Sequence, residues 1–144
     1  MTFLDTSKTL ARLGEAFPPG HRLLCLAAEL AAGAETAAGA AHGASPRLAE
    51  RLFAPKGNAA GAVEEFGALG AIGGPTLLWL SPGAGSGSGC RQLVLDLPAG
   101  RYRAEYWNIA EGRLAGVEIA TAAPLVLGLP DPRAAFAILV APLF

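Results

Sequence analysis

The sequence predicts a mainly β protein, an antiparallel β-sandwich of about seven strands preceded by an α-helical N-terminal segment. Residues 91–97 and 101–108 each alternate between two sets of side chains, as strands that bury one face do. The 19 Gly and 11 Pro among the 144 residues imply many turns and therefore short strands. Leucines in the first segment instead recur at helical intervals. We therefore divide the chain into a helical segment, 1–60, and a β-sandwich domain, 62–144.

Three helices are predicted in the first segment, over residues 3–17, 21–38 and 46–53. The first ends at Pro18-Pro19-Gly20, because proline cannot continue a helix. The third begins at Ser45-Pro46, an N-cap residue followed by a proline in the first turn. The second places an apolar stripe on one side, made of Leu23, Leu26, Leu30 and Ala34.

Seven strands are predicted in the second segment, separated by turns rich in Gly and Pro. They cover residues 63–72, 76–81, 91–97, 101–108, 113–120, 124–129 and 135–141. In the fourth strand, Tyr102, Ala104 and Tyr106 alternate with Arg101, Arg103 and Glu105. Strict alternation of this kind favours antiparallel pairing over a single core.

Charge and hydropathy exclude two classes of partner. The formal net charge is −1 and the arginines are scattered, so we expect no nucleic-acid partner. The apolar run over 23–41 contains Glu29 and Glu35, whose charges are costly in a bilayer, so we expect no membrane span. Asp5 lies in the opening segment and the apolar run begins late, which argues against a signal peptide. We expect a soluble chain.

No catalytic constellation is evident, so we expect no catalytic residue, metal site or cofactor. Glu64 and Glu65 are adjacent on a strand and point to opposite faces, and therefore cannot act together on one bond. Glu105 and Glu118 alternate with arginine and apolar positions, as solvent-facing residues do. The two histidines, His21 and His42, are predicted to be exposed loop residues without an acidic partner.

We interpret the two cysteines and the glycine-rich loop as structural features without a binding or catalytic role. Cys25 and Cys90 are far apart and are predicted to be free, partly buried thiols, with a disulfide as the alternative. The loop 82–89 resembles a phosphate-binding loop in its glycines. It lacks the Gly-Lys-Ser/Thr ending and is followed by a strand, so we expect a flexible hairpin tip.

The aromatic residues are the remaining candidates for function. Tyr106 and Trp107 are neighbours on one predicted strand, and Trp79 lies on another. Exposed aromatic faces stack on the apolar faces of sugar rings. Trp107, Tyr106 and Trp79 are therefore the candidate carbohydrate-binding residues. The alternative is that Trp79 and Tyr106 belong to the core and that Trp107 covers a neighbouring strand or domain.

Segment 91–112 resembles the C-terminal β-sandwich of many glycoside hydrolases that have a TIM-barrel catalytic domain. The residues that carry the resemblance are Leu97, Pro98, Gly100, Tyr102, Tyr106, Trp107, Asn108 and Gly112. The turn at Leu129-Pro130 and the strand from Phe136 to Ala141 continue it. Ile109 departs from the pattern, which has proline at this position. The resemblance covers residues 62–144 and implies an accessory module that packs on a catalytic barrel. In that family the catalytic carboxylates belong to the barrel domain, so the resemblance assigns no catalytic residue to this chain.

Two functions follow as hypotheses, beside a third, a small enzyme of unknown activity, against which the absence of a convergent acid/base pair speaks. The first is a non-catalytic accessory module of glycoside-hydrolase type, whose partners are a catalytic barrel or another protein and, as a further candidate, a polysaccharide. The second is a structural or protein-interaction domain that presents the apolar faces of its N-terminal helices to a partner.

Overall fold

The fold is mainly β in a computed structural model that describes residues 2–41, 48–53, 63–71, 73–82, 92–131 and 133–143, with side chains in the second helix described as far as Ala32. The helices are α1 (Thr6–Ala16), α2 (Arg22–Ala41) and α3 (Leu48–Leu52). The strands are β1 (Thr2–Leu4), β2 (Val63–Gly70), β3 (Thr76–Pro82), β4 (Gln92–Leu95), β5 (Gly100–Asn108), β6 (Arg113–Ala122), β7 (Leu125–Gly128) and β8 (Phe136–Leu143).

These strands form two sheets. The larger sheet has the order β1-β2-β3-β8-β5-β6, and the smaller one pairs β4 with β7. Each of the seven predicted strands overlaps one of β2 to β8, and the described residues add β1 as an eighth. The prediction of an antiparallel sheet throughout was wrong, because β1 pairs with β2 in parallel. The predicted helix over 3–17 was wrong at its start, because Phe3 and Leu4 belong to β1 and α1 begins only after the N-cap residue Asp5.

One hydrophobic core contains residues of both sheets. It joins Phe66 and Phe136 of the larger sheet to Leu93 and Leu127 of the smaller one, and all four are almost fully buried. The short helix α3 adds Leu52 to this core. Its backbone carbonyl accepts a hydrogen bond from Asp96 N at 2.7 Å, which ties the helical segment to the end of β4.

The second core lies on the opposite face of the larger sheet, under α1 and α2. Leu13 of α1 and Phe17, the residue that caps this helix, pack there with Leu23 of α2 against the sheet residues Leu77 and Trp79. The predicted stripe of α2 was correct at Leu23, which is fully buried, but wrong further along the helix: Ala27 and Ala31 are buried, whereas Leu26 and Leu30 are only half-buried. Small alanine side chains let the helix axis approach the sheet closely. Ala34 lies outside the described side chains.

The N-terminus of α1 is fixed by two local contacts. Asp5 is the N-cap residue and its Oδ1 accepts a hydrogen bond from Lys8 N at 2.8 Å. Thr9 is fully buried one turn later, and its Oγ1 donates to the Asp5 carbonyl. A bidentate pair between Arg12 and Glu65, with both N–O distances at 2.9 Å, then joins α1 to β2.

Candidate functional site

The helices cover only part of the outer face of the larger sheet. Residues of β5 on this face include Glu105, which contacts α2, and Trp107, which contacts Phe17. The register places Val117 and Ile119 of β6 directly opposite Glu105 and Arg103, on the same face. No described helix or strand covers this part of the sheet. We call it the bare corner and define it by Arg101, Arg103, Val117, Ile119, Ala141 and Leu143.

The bare corner combines apolar and basic side chains in adjacent columns. Val117, Ile119 and Leu143 are 46%, 57% and 39% exposed, values that are high for large aliphatic residues on strands. Arg101 and Arg103 stand between the β6 and β8 columns. Val117 and Ile119 are neighbours on β6, and adjacent exposed apolar side chains are a marker of interaction sites. The chemistry of this surface suits another macromolecule better than a small metabolite, because it is a face rather than a cleft.

A buried carboxylate borders the bare corner. Glu105 is only 6% exposed, and its Oε1 accepts from Arg22 Nη2 at 2.5 Å and from Trp107 Nε1 at 3.2 Å. Its Oε2 accepts from Arg103 Nη1. Both oxygens are therefore satisfied, as a buried charge requires. The cluster fastens the start of α2 to the middle of the sheet.

The prediction that Glu105 faces solvent was wrong. Alternation placed it correctly on the face opposite Tyr102 and Tyr106, but α2 covers that face at this point. Burial alone raises the pKa of Glu105. The hydrogen bonds from Arg103, Arg22 and Trp107 stabilise the charged form more strongly, so its pKa lies below the ordinary value of a glutamate.

Glu118, the other acid predicted to lie on the surface, is half-buried on the face toward the first core. It accepts hydrogen bonds from the Tyr106 hydroxyl and, at 3.2 Å, from Gly128 N. Burial and the adjacent Glu118 carboxylate raise the pKa of Tyr106, which therefore acts as a hydrogen-bond donor at neutral pH. The contact links β6 to the smaller sheet and gives Glu118 a structural role.

Trp107 lies at the edge of the helix layer and is half-buried. The guanidinium of Arg22 stands 5.0 Å from its ring centroid, in cation–π geometry. Phe17 and His21 meet the same indole nearly perpendicularly, with centroids 6.2 and 5.1 Å away. His21 lies in the loop between α1 and α2 as predicted, but it is half-buried rather than exposed, and its ring also packs on that of Phe17 with centroids 4.6 Å apart.

The other two candidate aromatics lie inside the molecule. Tyr106 is 2% exposed in the first core, and Trp79 is 7% exposed beneath the helices. The indole N–H of Trp79 is buried, with no hydrogen-bond partner in the described part of the chain. The fold therefore does not bring the three aromatics together, and Trp107 is the one that retains partial exposure. Carbohydrate binding stays a prediction.

Three further observations on the described residues concern a surface depression, metal binding and membrane insertion. A surface depression of about 310 Å³ is lined by Arg51, Asp96, Leu97, Pro98 and Ala123. Acidic, histidine and cysteine side chains form no group of three or more within metal-binding reach in residues that are described. None of the described helices has both the length and the apolar character needed to traverse a bilayer.

Several predictions fall partly or wholly outside the described residues. Cys25 is a free thiol and is exposed rather than partly buried, whereas Cys90 lies outside the described residues. His42 and loop residues 83–89 lie outside them too. The domain boundary near residue 61 also falls there and stays a prediction.

Sequence reasoning did not single out the bare corner. A signal was present in β6, where Glu118 and Gly116 occupy one face while Val117 and Ile119 occupy the other. The larger apolar side chains thus point away from the face that carries the main core.

Comparison of the chain with protein-family models, with curated proteins and with solved structures gives no match.

Proposed function

We propose that this chain is a non-catalytic accessory module, of β-sandwich type, that packs on a catalytic domain or another protein through the bare corner. The observation that carries the proposal is the exposure of Val117, Ile119 and Leu143 on a sheet face that the chain's own helices cover only in part. Burial of such side chains supplies most of the favourable free energy of protein association. The resemblance of residues 62–144 to glycoside-hydrolase accessory domains supports the same function.

The surface on which the partner packs is the sheet and not the helices. The apolar faces of α1 and α2 are already occupied, since Leu13, Phe17 and Leu23 share the second core with Leu77 and Trp79 of the larger sheet. A helical docking surface would have to be released from this core first. The bare corner needs no such rearrangement.

Site-specific photo-crosslinking tests the proposal. A benzophenone amino acid at position 119 should form an adduct with one specific protein in the cells that make the chain. Val126 provides the matched control, because it is also an exposed β-branched residue on a strand, 41% exposed, but lies on the smaller sheet. A specific adduct at 119 that is absent at 126 supports the proposal. Equal labelling at both positions, or none at 119, contradicts it.

Carbohydrate binding at Trp107 is a second candidate. It is favoured by the position of this half-buried indole beside the charged hydrogen-bonding groups of Arg22, Arg103 and Glu105. Arg22 now covers the ring, so a sugar that stacks there must displace it. Arg22→Ala should therefore increase retardation in affinity electrophoresis through xylan, galactomannan or laminarin gels. Unchanged mobility of both the parent chain and Arg22→Ala in all three would remove this candidate.

A further inference from the structure

We propose that the bare corner holds one amphipathic helix of the partner protein, with acidic residues along one border of its apolar stripe. The proposal rests on the proposed function and specifies the partner. It is argued from the charge of the surface, from its dimensions and from the layer that it continues.

The charge of the surface favours an acidic partner. Three guanidinium groups, those of Arg22, Arg101 and Arg103, lie on or beside the bare corner, and Glu105 is the carboxylate among them. Three positive charges and one negative charge leave an excess of two positive charges. The N-terminus of α2 begins at Arg22 and adds the positive end of a helix dipole. A basic partner would be repelled here, whereas carboxylates would meet half-exposed guanidinium groups.

The side-chain columns of the bare corner are spaced like the apolar and polar rows of an amphipathic helix. Val117 and Ile119 form an apolar column on β6. On β5, roughly 5 Å away, Arg103 faces Ile119, Glu105 faces Val117, and Arg101 lies one row beyond Arg103. A helix that lies along β6 presents an apolar stripe with a polar row beside it, at a comparable lateral spacing. Glutamates in that row would reach the arginines while the stripe covers the valine and isoleucine.

The dimensions admit a single helix. The three strands β8, β5 and β6 span roughly 10 Å between their outer axes, and a helix with its side chains is about 10–12 Å wide. The helices α1 and α2 already form a layer on the other part of this face. A partner helix would extend the layer of α1 and α2 over the part of β8, β5 and β6 that these two helices leave uncovered.

Two synthetic peptides test the inference by fluorescence anisotropy against the full chain. Both are 18-residue helices with the same leucine stripe, one bordered by glutamates and the other by lysines. We expect the glutamate peptide to bind at least ten-fold more tightly than the lysine peptide and than its own scrambled sequence. Ile119→Ser should weaken that binding at least five-fold, while Val126→Ser should not change it. Arg101→Glu, which leaves two positive and two negative charges on the surface, should abolish the preference between the two peptides.

The outcomes separate the inference from the function on which it rests. Equal binding of the two peptides, or binding that Ile119→Ser does not change, overturns the acidic helix as occupant. If the crosslink at position 119 still forms, the proposed function stands and its partner docks in another way. If no adduct forms at 119, the proposed function and the inference fail together. Circular dichroism of each variant checks that these exposed substitutions preserve the fold.

Discussion

Glu105 is the residue whose environment differs most from that of an ordinary surface acid. Its carboxylate is nearly inaccessible, yet its partners Arg22 and Arg103 keep 58% and 44% of their side chains exposed. The desolvation cost thus falls mainly on the acid, and the three donors around it offset that cost. Loss of the carboxylate would leave the two guanidinium groups free to rehydrate, which limits the damage.

Glu105→Gln should lower the free energy of unfolding by about 1–2 kcal/mol at pH 7, because it removes hydrogen bonds to a charged group. The folded-state pKa of Glu105 is depressed, so its stabilisation is complete above the unfolded-state pKa of about 4.3 and is lost as the pH falls through the folded value. The difference between parent and variant should therefore be constant above about pH 5 and shrink below about pH 4. Urea denaturation from pH 3 to 8 measures it.

Glu64→Gln is the control, since Glu64 is exposed on β2. A change within about 0.5 kcal/mol is expected for it. A Glu105→Gln difference that grows on acidification would contradict the assignment of Glu105 as a stabilising carboxylate.

The sequence placed individual residues on the correct faces but could not decide which faces are covered. Alternation in β5 correctly separates Tyr102, Ala104 and Tyr106 from Arg101, Arg103 and Glu105. The burial of Glu105 depends on α2, which contacts it across 83 positions of sequence. Period-two patterns report the two sides of a strand, and they do not report what a distant helix covers.

At the scale of elements, α1 approaches the sheet closely where it crosses β2. Gly67 has no side chain, and Thr9 occupies the space above it. A Cβ built at position 67 would lie 2.2 Å from Thr9 Oγ1 and 2.9 Å from Thr9 Cγ2. Glycine is therefore required here for the close approach of the helix rather than for an unusual backbone conformation.

Gly67→Ala should destabilise the protein by about 1–3 kcal/mol, because the added methyl group forces α1 away from the sheet. In a Thr9→Ala background the cost should fall to less than half, since the two nearest atoms are then removed. Gly116→Ala is the matched strand control, because nothing lies within 4 Å of its Cβ position. Additive effects of the two substitutions in a double-mutant cycle of urea denaturation would show that Thr9 is not the obstacle.

Element positions were largely predictable, and the exceptions have physical causes. Helix ends at Pro18-Pro19-Gly20 and strand breaks at Gly and Pro are local signals, because these residues act on their own backbone. The strand β1 escaped prediction because it has only three residues and exists through its partner β2. A strand this short has no readable period, so only the tertiary pairing defines it.

At the scale of the whole molecule, the N-terminal segment packs directly on the β structure and contributes a strand to it. β1 extends the larger sheet, α1 and α2 cover one of its faces, and α3 closes part of the core on the other. This arrangement was not predictable from the division into a helical and a β segment, since composition changes along the chain do not show which surfaces meet. The apolar helices consequently serve the chain's own core.

A truncated chain of residues 62–144 should therefore fail to form a stable native state. It would expose Leu69, Leu77, Trp79 and Ala137 together, a contiguous apolar surface that favours aggregation. We expect broad elution in size-exclusion chromatography and strong binding of the dye ANS, whereas the full chain should unfold cooperatively. Addition of the separate 1–60 segment should reduce both effects, because it restores the cover of that face. A truncated chain that is monomeric, binds no dye and unfolds cooperatively would show instead that residues 62–144 form an independent domain.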